Sequence, residues 1–285
     1  MTSQAAAATI PAMLKYPASQ EPTQTGFTVA FGTENTEPMF ATFSRDPPRA
    51  KRFGGAMVSL TGGEGYEPSY FVDNYDWAAL DAAGGTVVDV GGSHGFMCVA
   101  LAERFPNLRF VVQDLDKMIA SHPQLEGDLA ARIAFQGHDF YTPQPVKGAD
   151  VYFYRWILHN QSTAYCVRML RALIPALKHG ARVLVNDHCL KEPGLETEWD
   201  ERIMRTMDLV MLTLINAQER SEAEFKDVFA EAGKGWGVDG QGSGFRFVGV
   251  TRPEGCRMSI VEAVWEGEDF GGAKQVSIGE DGRVL

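Results

Sequence analysis

The residues best placed to do chemistry lie at Asp89-Val90-Gly91-Gly92-Ser93-His94-Gly95, where a carboxylate near the end of a β-branched run is followed by a glycine-rich turn. Glycine lets the backbone approach a ligand with no Cβ in the way, and the first N–H groups of a following helix have no intrahelical partner. In an open parallel sheet, the first strand-to-helix turn is where a nucleotide-like group meets the chain. A dinucleotide fingerprint starting at Gly91 requires glycines where Ser93 and Phe96 stand, which counts against a nicotinamide cofactor. Asp89 beside the turn disfavours a pyrophosphate and favours a ligand carrying an ammonium and a sulfonium, as S-adenosylmethionine does. Asp114 ends the next β-rich run, where an acid accepts hydrogen bonds from ribose hydroxyls, a role common to both cofactor classes. The plainer alternative is a tight connection whose carboxylates cap helices.

These residues need a strand, a turn, a helix and a second strand to hold them, and residues 86–114 supply that order. Thr86 to Val90 reads as a strand, Phe96 to Phe105 as a helix stopped by Pro106, and Arg109 to Asp114 as a strand. The alternation continues: a helix over Met118–Ala131, strands over Ile133–Gln136 and Val151–Tyr154, a helix over Ser162–Leu177 and a strand over Arg182–Asn186. This predicts an α/β fold with a doubly wound, mostly parallel sheet. Two further helices, Glu198–Leu214 and Ser221–Ala232, lead to an antiparallel hairpin of Phe245–Val250 and Met258–Trp265. Upstream, residues 1–26 read as a flexible arm and residues 27–80 as short helices, including one over Tyr70–Leu80. Residues 81–265 form the cofactor-binding domain, and the Gly-rich, acidic tail 266–285 is expected to lie outside the core.

At 285 residues with a net charge of −11, the chain can bury a large core but repels nucleic acid and anionic membranes, so a small molecule is the expected partner. Cys98, Cys166, Cys189 and Cys256 form no C-x-x-C pair, which suggests neither a disulfide framework nor a metal centre and fits a cytoplasmic location. The sequence shows no secretory signal and no run long enough to span a bilayer.

The run Val87 to Gly95 resembles the first motif of the caffeate-type plant and fungal O-methyltransferases. The resemblance extends through Gly137-His138-Asp139-Phe140, Tyr154-Arg155-Trp156-Ile157-Leu158-His159-Asn160 and Gln218 to Phe225, covering about residues 27–265 in the family's order. It implies a Rossmann-like class I methyltransferase fold and an O-methyltransferase of secondary metabolism acting on a small aromatic or polyketide-like hydroxyl. S-adenosylmethionine would be held by Asp89, Gly91, Gly92, Ser93, Gly95, Asp114, Leu115, Asp139, Phe140 and Arg155, the last standing where the family usually has lysine. His159 would be the general base, oriented by Asp187 and Glu219, with no metal.

Three departures bear on that expectation. Asp187 is shorter than the family's usual glutamate, and Asn160 replaces an acid. The family's N-terminal winged-helix dimerisation domain has no room before Phe27, so the pocket would be either open or completed by a homodimer partner or another chain. A bland reading makes His159 a core histidine, Asp187 a cap, and Glu219-Arg220 a surface ion pair. Met204, Met207 and Met211 read as a helix core face, and His188 and Cys189 point to opposite strand faces. Competing functions are cofactor-assisted cyclisation without methyl transfer, an auxiliary subunit, and a magnesium-dependent catechol-type transferase.

Overall fold

The computed structural model of the chain describes residues 2–237, 240 and 242–270. Six helices come first: α1 (Thr2–Lys15), α2 (Gly26–Phe31), α3 (Met39–Ser44), α4 (Pro47–Thr61), α5 (Pro68–Asp73) and α6 (Ala78–Ala82). The alternating part follows as β1 (Thr86–Val90), α7 (Phe96–Arg104), β2 (Arg109–Asp114), α8 (Asp116–Ile119), α9 (Gly127–Arg132), β3 (Ile133–Gly137), β4 (Val151–Arg155), α10 (Thr163–Leu173) and β5 (Arg182–Asp187). The chain then forms β6 (Cys189–Leu190), α11 (Glu198–Ile215), β7 (Arg220–Ser221), α12 (Glu222–Ala232), β8 (Phe245–Thr251) and β9 (Ser259–Trp265).

Seven strands make one sheet in the order β3-β2-β1-β4-β5-β9-β8, parallel from β3 to β5 and antiparallel at β9 and β8. All five residues of β1 are buried, as a central parallel strand covered on both faces must be. Strand order reverses between β1 and β4, so the carboxyl ends of these two strands open one crevice, the usual ligand position of such sheets. The doubly wound sheet with its C-terminal hairpin is therefore as the sequence implied.

Four local expectations are corrected. The arm is helical at α1: Ala5 and Ala12 are buried, and Thr9 Oγ1 lies 3.0 Å from Thr213 Oγ1 on α11. Large-residue periodicity missed α1 because its contact is made by small side chains, and its alanine run has high intrinsic helix propensity. At Gly26 a Cβ would lie 2.6 Å from the Ala5 carbonyl oxygen, so glycine permits the close approach of α2. The helix expected over Met118–Ala131 is split into α8 and α9, with Pro123, which cannot donate a helical hydrogen bond, in the gap. Tyr70–Leu80 is likewise split between α5 and α6, because Trp77 turns inward, fully buried, and donates Nε1–H to the Phe71 carbonyl at 3.3 Å.

The start of the tail is also docked rather than free: Phe270 lies edge-on to Trp236 at 5.4 Å, and the Trp265 indole donates to the Glu268 carbonyl at 2.8 Å. Residues 271–285 lie outside the described residues. Met204 and Met211 are buried, as expected of a core face. Among the described residues no helix is long and apolar enough to cross a membrane.

Candidate active site

The turn after β1 is shaped by backbone hydrogen bonds. Gly91 and Gly92 N–H groups both donate to the Gln113 carbonyl, at 2.8 and 3.0 Å, pulling the turn over the end of β2. Gly91 takes φ +80 and Gly95 φ +75, left-handed values that favour glycine. Ser93 also takes φ +52, and its N–H donates at 3.0 Å to Asp114 Oδ2 while the Leu115 N–H donates at 2.8 Å to Oδ1. One carboxylate thus ties the glycine turn to the end of β2, and its remaining lone pairs can accept hydroxyl donors.

Asp89 is only 3% exposed and makes no ion pair among the described residues; its neighbour is the Cys98 thiol, 3.6 Å from Oδ2. Burial pushes its carboxyl up to about 7, against the lowering effects of Cys98 and Arg155. A Cβ on Gly92 would lie 2.5 Å from the Asp89 carboxyl carbon, so the glycine leaves room for this carboxylate under the turn. A buried acid without an ion-pair partner beneath the glycine turn, with a second carboxylate at the end of β2, suits a cationic nucleoside, and the residues present fit S-adenosylmethionine. Asp139 is exposed on the turn after β3, its Oδ1 accepting the Tyr141 N–H at 2.9 Å, and Phe140 is half-buried beside it.

Arg155, which is close enough to Asp89 to lower its carboxyl, makes two hydrogen bonds within the protein. Its guanidinium donates to the Asn186 side-chain oxygen and, at 2.6 Å, to the Tyr66 carbonyl. It lashes the segment before α5 to the sheet.

The second cluster forms where β4 and β5 end. After β4 the chain passes through Trp156, at φ +57, into a 3-10 turn over Leu158–Asn160 that carries His159. That left-handed tryptophan is held by its N–H donating to the Asn186 carbonyl at 3.2 Å and by Asn160 Nδ2 donating to its carbonyl at 2.7 Å. The His159 N–H donates to Asp187 Oδ2 at 3.0 Å, and its Nδ1 lies 2.9 Å from Glu219 Oε1. His159, Asp187 and Glu219 thus meet in one buried group although they sit on three separate segments.

The electrostatics follow. Burial alone would lower the His159 imidazole, but the hydrogen bond and charge of Glu219, with Asp187, raise it on balance. Burial raises Asp187. Burial works upward on Glu219 too, yet the two histidines facing it bring it down to about 2. In the neutral imidazole, an Nδ1–H directed at the carboxylate leaves Nε2 as the acceptor nitrogen.

Three contributors were not singled out from the sequence as part of this cluster. Arg220 is no surface ion-pair member: it is 1% exposed and donates to the Leu158 and Gln161 carbonyls at 2.8 and 2.7 Å, bracing the His159 turn, while Ser221 caps α12. His188, fully buried, has Nδ1 3.5 Å from Glu219 Oε1 and Nε2 3.1 Å from the Tyr66 hydroxyl. Both His188 and Tyr66 owe their place to long-range contacts, and a histidine following Asp187 was the one local signal. Among the described residues no group of His, Cys, Asp and Glu could hold a metal ion.

The sequence model of the O-methyltransferase domain matches residues 12–234. A chlorophenol O-methyltransferase of Trichoderma longibrachiatum is 51% identical over 265 residues, covering 92% of this chain and 55% of the relative. An O-methyltransferase of the grayanic acid biosynthesis cluster of Cladonia grayi is 41% identical over 247 residues, covering 85% and 52%. The chain thus spans about half the length of these relatives. Among solved structures, OxaC in complex with SAH and oxaline superposes with a TM-score of 0.73 at 24% identity, covering 92% of this chain and 63% of that one. LepI in complex with SAM superposes at 0.71 and 23%, covering 93% and 64%. With the family model spanning most of its length and a relative half identical to it, the chain belongs to the S-adenosylmethionine-dependent O-methyltransferase domain family.

Proposed function

We propose that this chain methylates the hydroxyl of a small phenolic metabolite, with His159 as the general base. The observation that carries this reading is the His159 imidazole, held at Nδ1 by Glu219 at 2.9 Å and at its backbone by Asp187 at 3.0 Å. The chlorophenol acceptor named for a relative with 51% identity supports a phenol as the acceptor class.

S-adenosylmethionine, when bound, supplies a methyl group on a positively charged sulfur. Asp114 would accept hydrogen bonds from its ribose hydroxyls, Asp89 would face its cationic end beneath Gly91 and Gly92, and Ser93, Gly95 and Leu115 would line the turn. Asp139 and Phe140 would border the adenine. Arg155 would border the cofactor while its guanidinium holds the Tyr66 carbonyl. His159 Nε2 takes the phenol proton as the oxygen becomes nucleophilic, and the Glu219 carboxylate stabilises the imidazolium that results. Holding the phenol in line supplies much of the acceleration, because the methyl donor is already reactive. A homodimer or a partner chain that completes the acceptor pocket belongs to the same reading.

The test is incubation with methyl-labelled S-adenosylmethionine and a monochlorophenol. One labelled methyl ether for each S-adenosylhomocysteine released is expected. Acceptor consumed with no S-adenosylhomocysteine contradicts methyl transfer and favours cofactor-assisted rearrangement.

A further inference from the structure

Glu219 serves two imidazoles, not one. Its Oε1 lies 2.9 Å from His159 Nδ1 and 3.5 Å from His188 Nδ1, the second a long approach rather than a formed hydrogen bond. Trp156 packs against both histidine rings, with centroids 4.7 and 4.9 Å away, so the group is walled from water by an indole. An N–H dipole aimed at a carboxylate acts more strongly in such surroundings than at a surface.

The far nitrogen of His188 explains its orientation. Nε2 lies 3.1 Å from the Tyr66 hydroxyl, and Tyr66 is itself buried, with its carbonyl held by Arg155 at 2.6 Å. If Nδ1 faces a carboxylate, it carries the proton, Nε2 is the acceptor and the tyrosine O–H donates to it. Burial pushes the Tyr66 phenol up to about 12, so it keeps that proton across the working pH range. The Glu219 carboxylate, which can only accept, therefore favours the His188 tautomer whose N–H points at it, and the Tyr66 hydroxyl supports that tautomer by donating to Nε2.

We infer that His188, keyed by the Tyr66 hydroxyl, is a positioning residue that shares the Glu219 carboxylate with His159 and so limits how tightly Glu219 holds the base. The inference rests on the reading of His159 given above. The other ionisable groups around the pair are Asp187, whose Oδ2 accepts the His159 N–H, Asp208, whose Oδ1 accepts the Glu219 N–H at 2.9 Å, and Arg220 and Arg155. Side-chain hydrogen bonds to the pair come from Tyr66, to His188, and from His159, to Glu219. Without the His188 N–H, the whole carboxylate charge falls on His159, which then gives up its proton less readily.

Two substitutions separate positioning from mere packing. The side-chain amide nitrogen of asparagine can stand where Nδ1 stands, whereas that of glutamine reaches toward Nε2. His188→Asn therefore keeps a donor for Glu219 and loses the tyrosine, while His188→Gln does the reverse. The experiment is a pH titration of the full chain labelled with nitrogen-15 histidine, followed by NMR, with His159 assigned from its own His159→Gln spectrum. We expect His188 to show the Nδ1–H tautomer, and the His159 midpoint to move up by about half a unit to one unit in His188→Gln but to stay in place in His188→Asn. A His188 found as the Nε2–H tautomer, or midpoints that move alike in both variants, overturns the inference.

Tyr66→Phe, which removes one hydroxyl, carries the test if either His188 variant fails to fold: a weaker Nδ1–H preference is expected, and an unchanged one overturns the inference. The pH profile of methyl transfer to a monochlorophenol separates the two levels. A His159 midpoint that moves while the acid limb of kcat/KM stays fixed overturns His159 as the base but not the sharing of Glu219. An acid limb that follows the wild-type His159 midpoint, with no shift in His188→Gln, overturns the sharing alone.

Discussion

Replacing Asp114 by asparagine keeps the size of the side chain while removing its charge and one acceptor. Both oxygens are engaged in the structure, Oδ2 by the Ser93 N–H at 3.0 Å and Oδ1 by the Leu115 N–H at 2.8 Å. An amide has a single oxygen, so its NH2 group must face one of these two N–H groups, donor against donor. A hydrogen bond to a charged partner contributes about 1.5–3 kcal/mol. The ribose hydroxyls would lose the same charged acceptor, and Ser93, already in the left-handed region, would lose the bond that holds it there. At roughly 1.4 kcal/mol per decade, the dissociation constants for S-adenosylmethionine and S-adenosylhomocysteine should rise about ten- to a hundredfold. Calorimetric titration reads this directly, and thermal unfolding of the same samples shows whether the turn alone or the whole fold has changed. A well-folded Asp114→Asn chain that binds the cofactor within twofold of the native value refutes the role given to Asp114.

Three further outcomes follow from the geometry. Gly92→Ala places a methyl 2.5 Å from the Asp89 carboxyl carbon while two N–H bonds to Gln113 pin the turn, so it should cost about 1–3 kcal/mol of stability and weaken cofactor binding; unchanged affinity in the calorimeter contradicts the close approach. Glu219→Gln removes the charge that raises His159 against burial, so the acid limb of kcat/KM should move to lower pH. Because the folded His159 value lies above the unfolded one, the pair's contribution to stability is full below the unfolded histidine value of about 6.5 and fades as pH rises through the folded value. Glu219 itself, lowered to about 2, keeps its contribution until the pH falls toward that value. Urea unfolding should therefore show a larger Glu219→Gln penalty, about 3–5 kcal/mol, at about pH 6 than at about pH 9, and equal penalties would count against the pairing. Gly26→Ala sets a methyl 2.6 Å from the Ala5 carbonyl and should destabilise the packing of α1 on α2 by about 1–3 kcal/mol; a thermal midpoint equal to the native one would show that α1 is not docked there.

What could be read from the sequence was whatever is local. The β1 turn is legible because Asp89, Gly91, Gly92 and Gly95 lie within one strand-turn-helix unit, and Asp114 ends the next strand. His159, Asp187 and Glu219 could be connected only through the family resemblance, since their meeting depends on β4 and β5 being neighbours in the sheet and on the β6–β7 pairing that brings residue 220 beside residue 189. Two misreadings have the same origin. Arg220 resembles a surface cation until the sheet buries it against the His159 turn, and α1 resembles an arm until its alanines meet α2 and α11. Arg155, placed by analogy at the cofactor, spends its hydrogen bonds on Asn186 and Tyr66, which no pattern within its own segment reveals.

The central claim is that His159 removes a proton, and a pair of acceptors of different acidity tests it most directly. A monochlorophenol is protonated at neutral pH and needs a base, whereas pentachlorophenol is already ionised. His159→Ala should lower kcat/KM for the monochlorophenol by about a hundred- to ten-thousandfold, and for pentachlorophenol by less than about tenfold. An equal loss for both phenols, or undiminished turnover of the protonated one, would contradict His159 as the base.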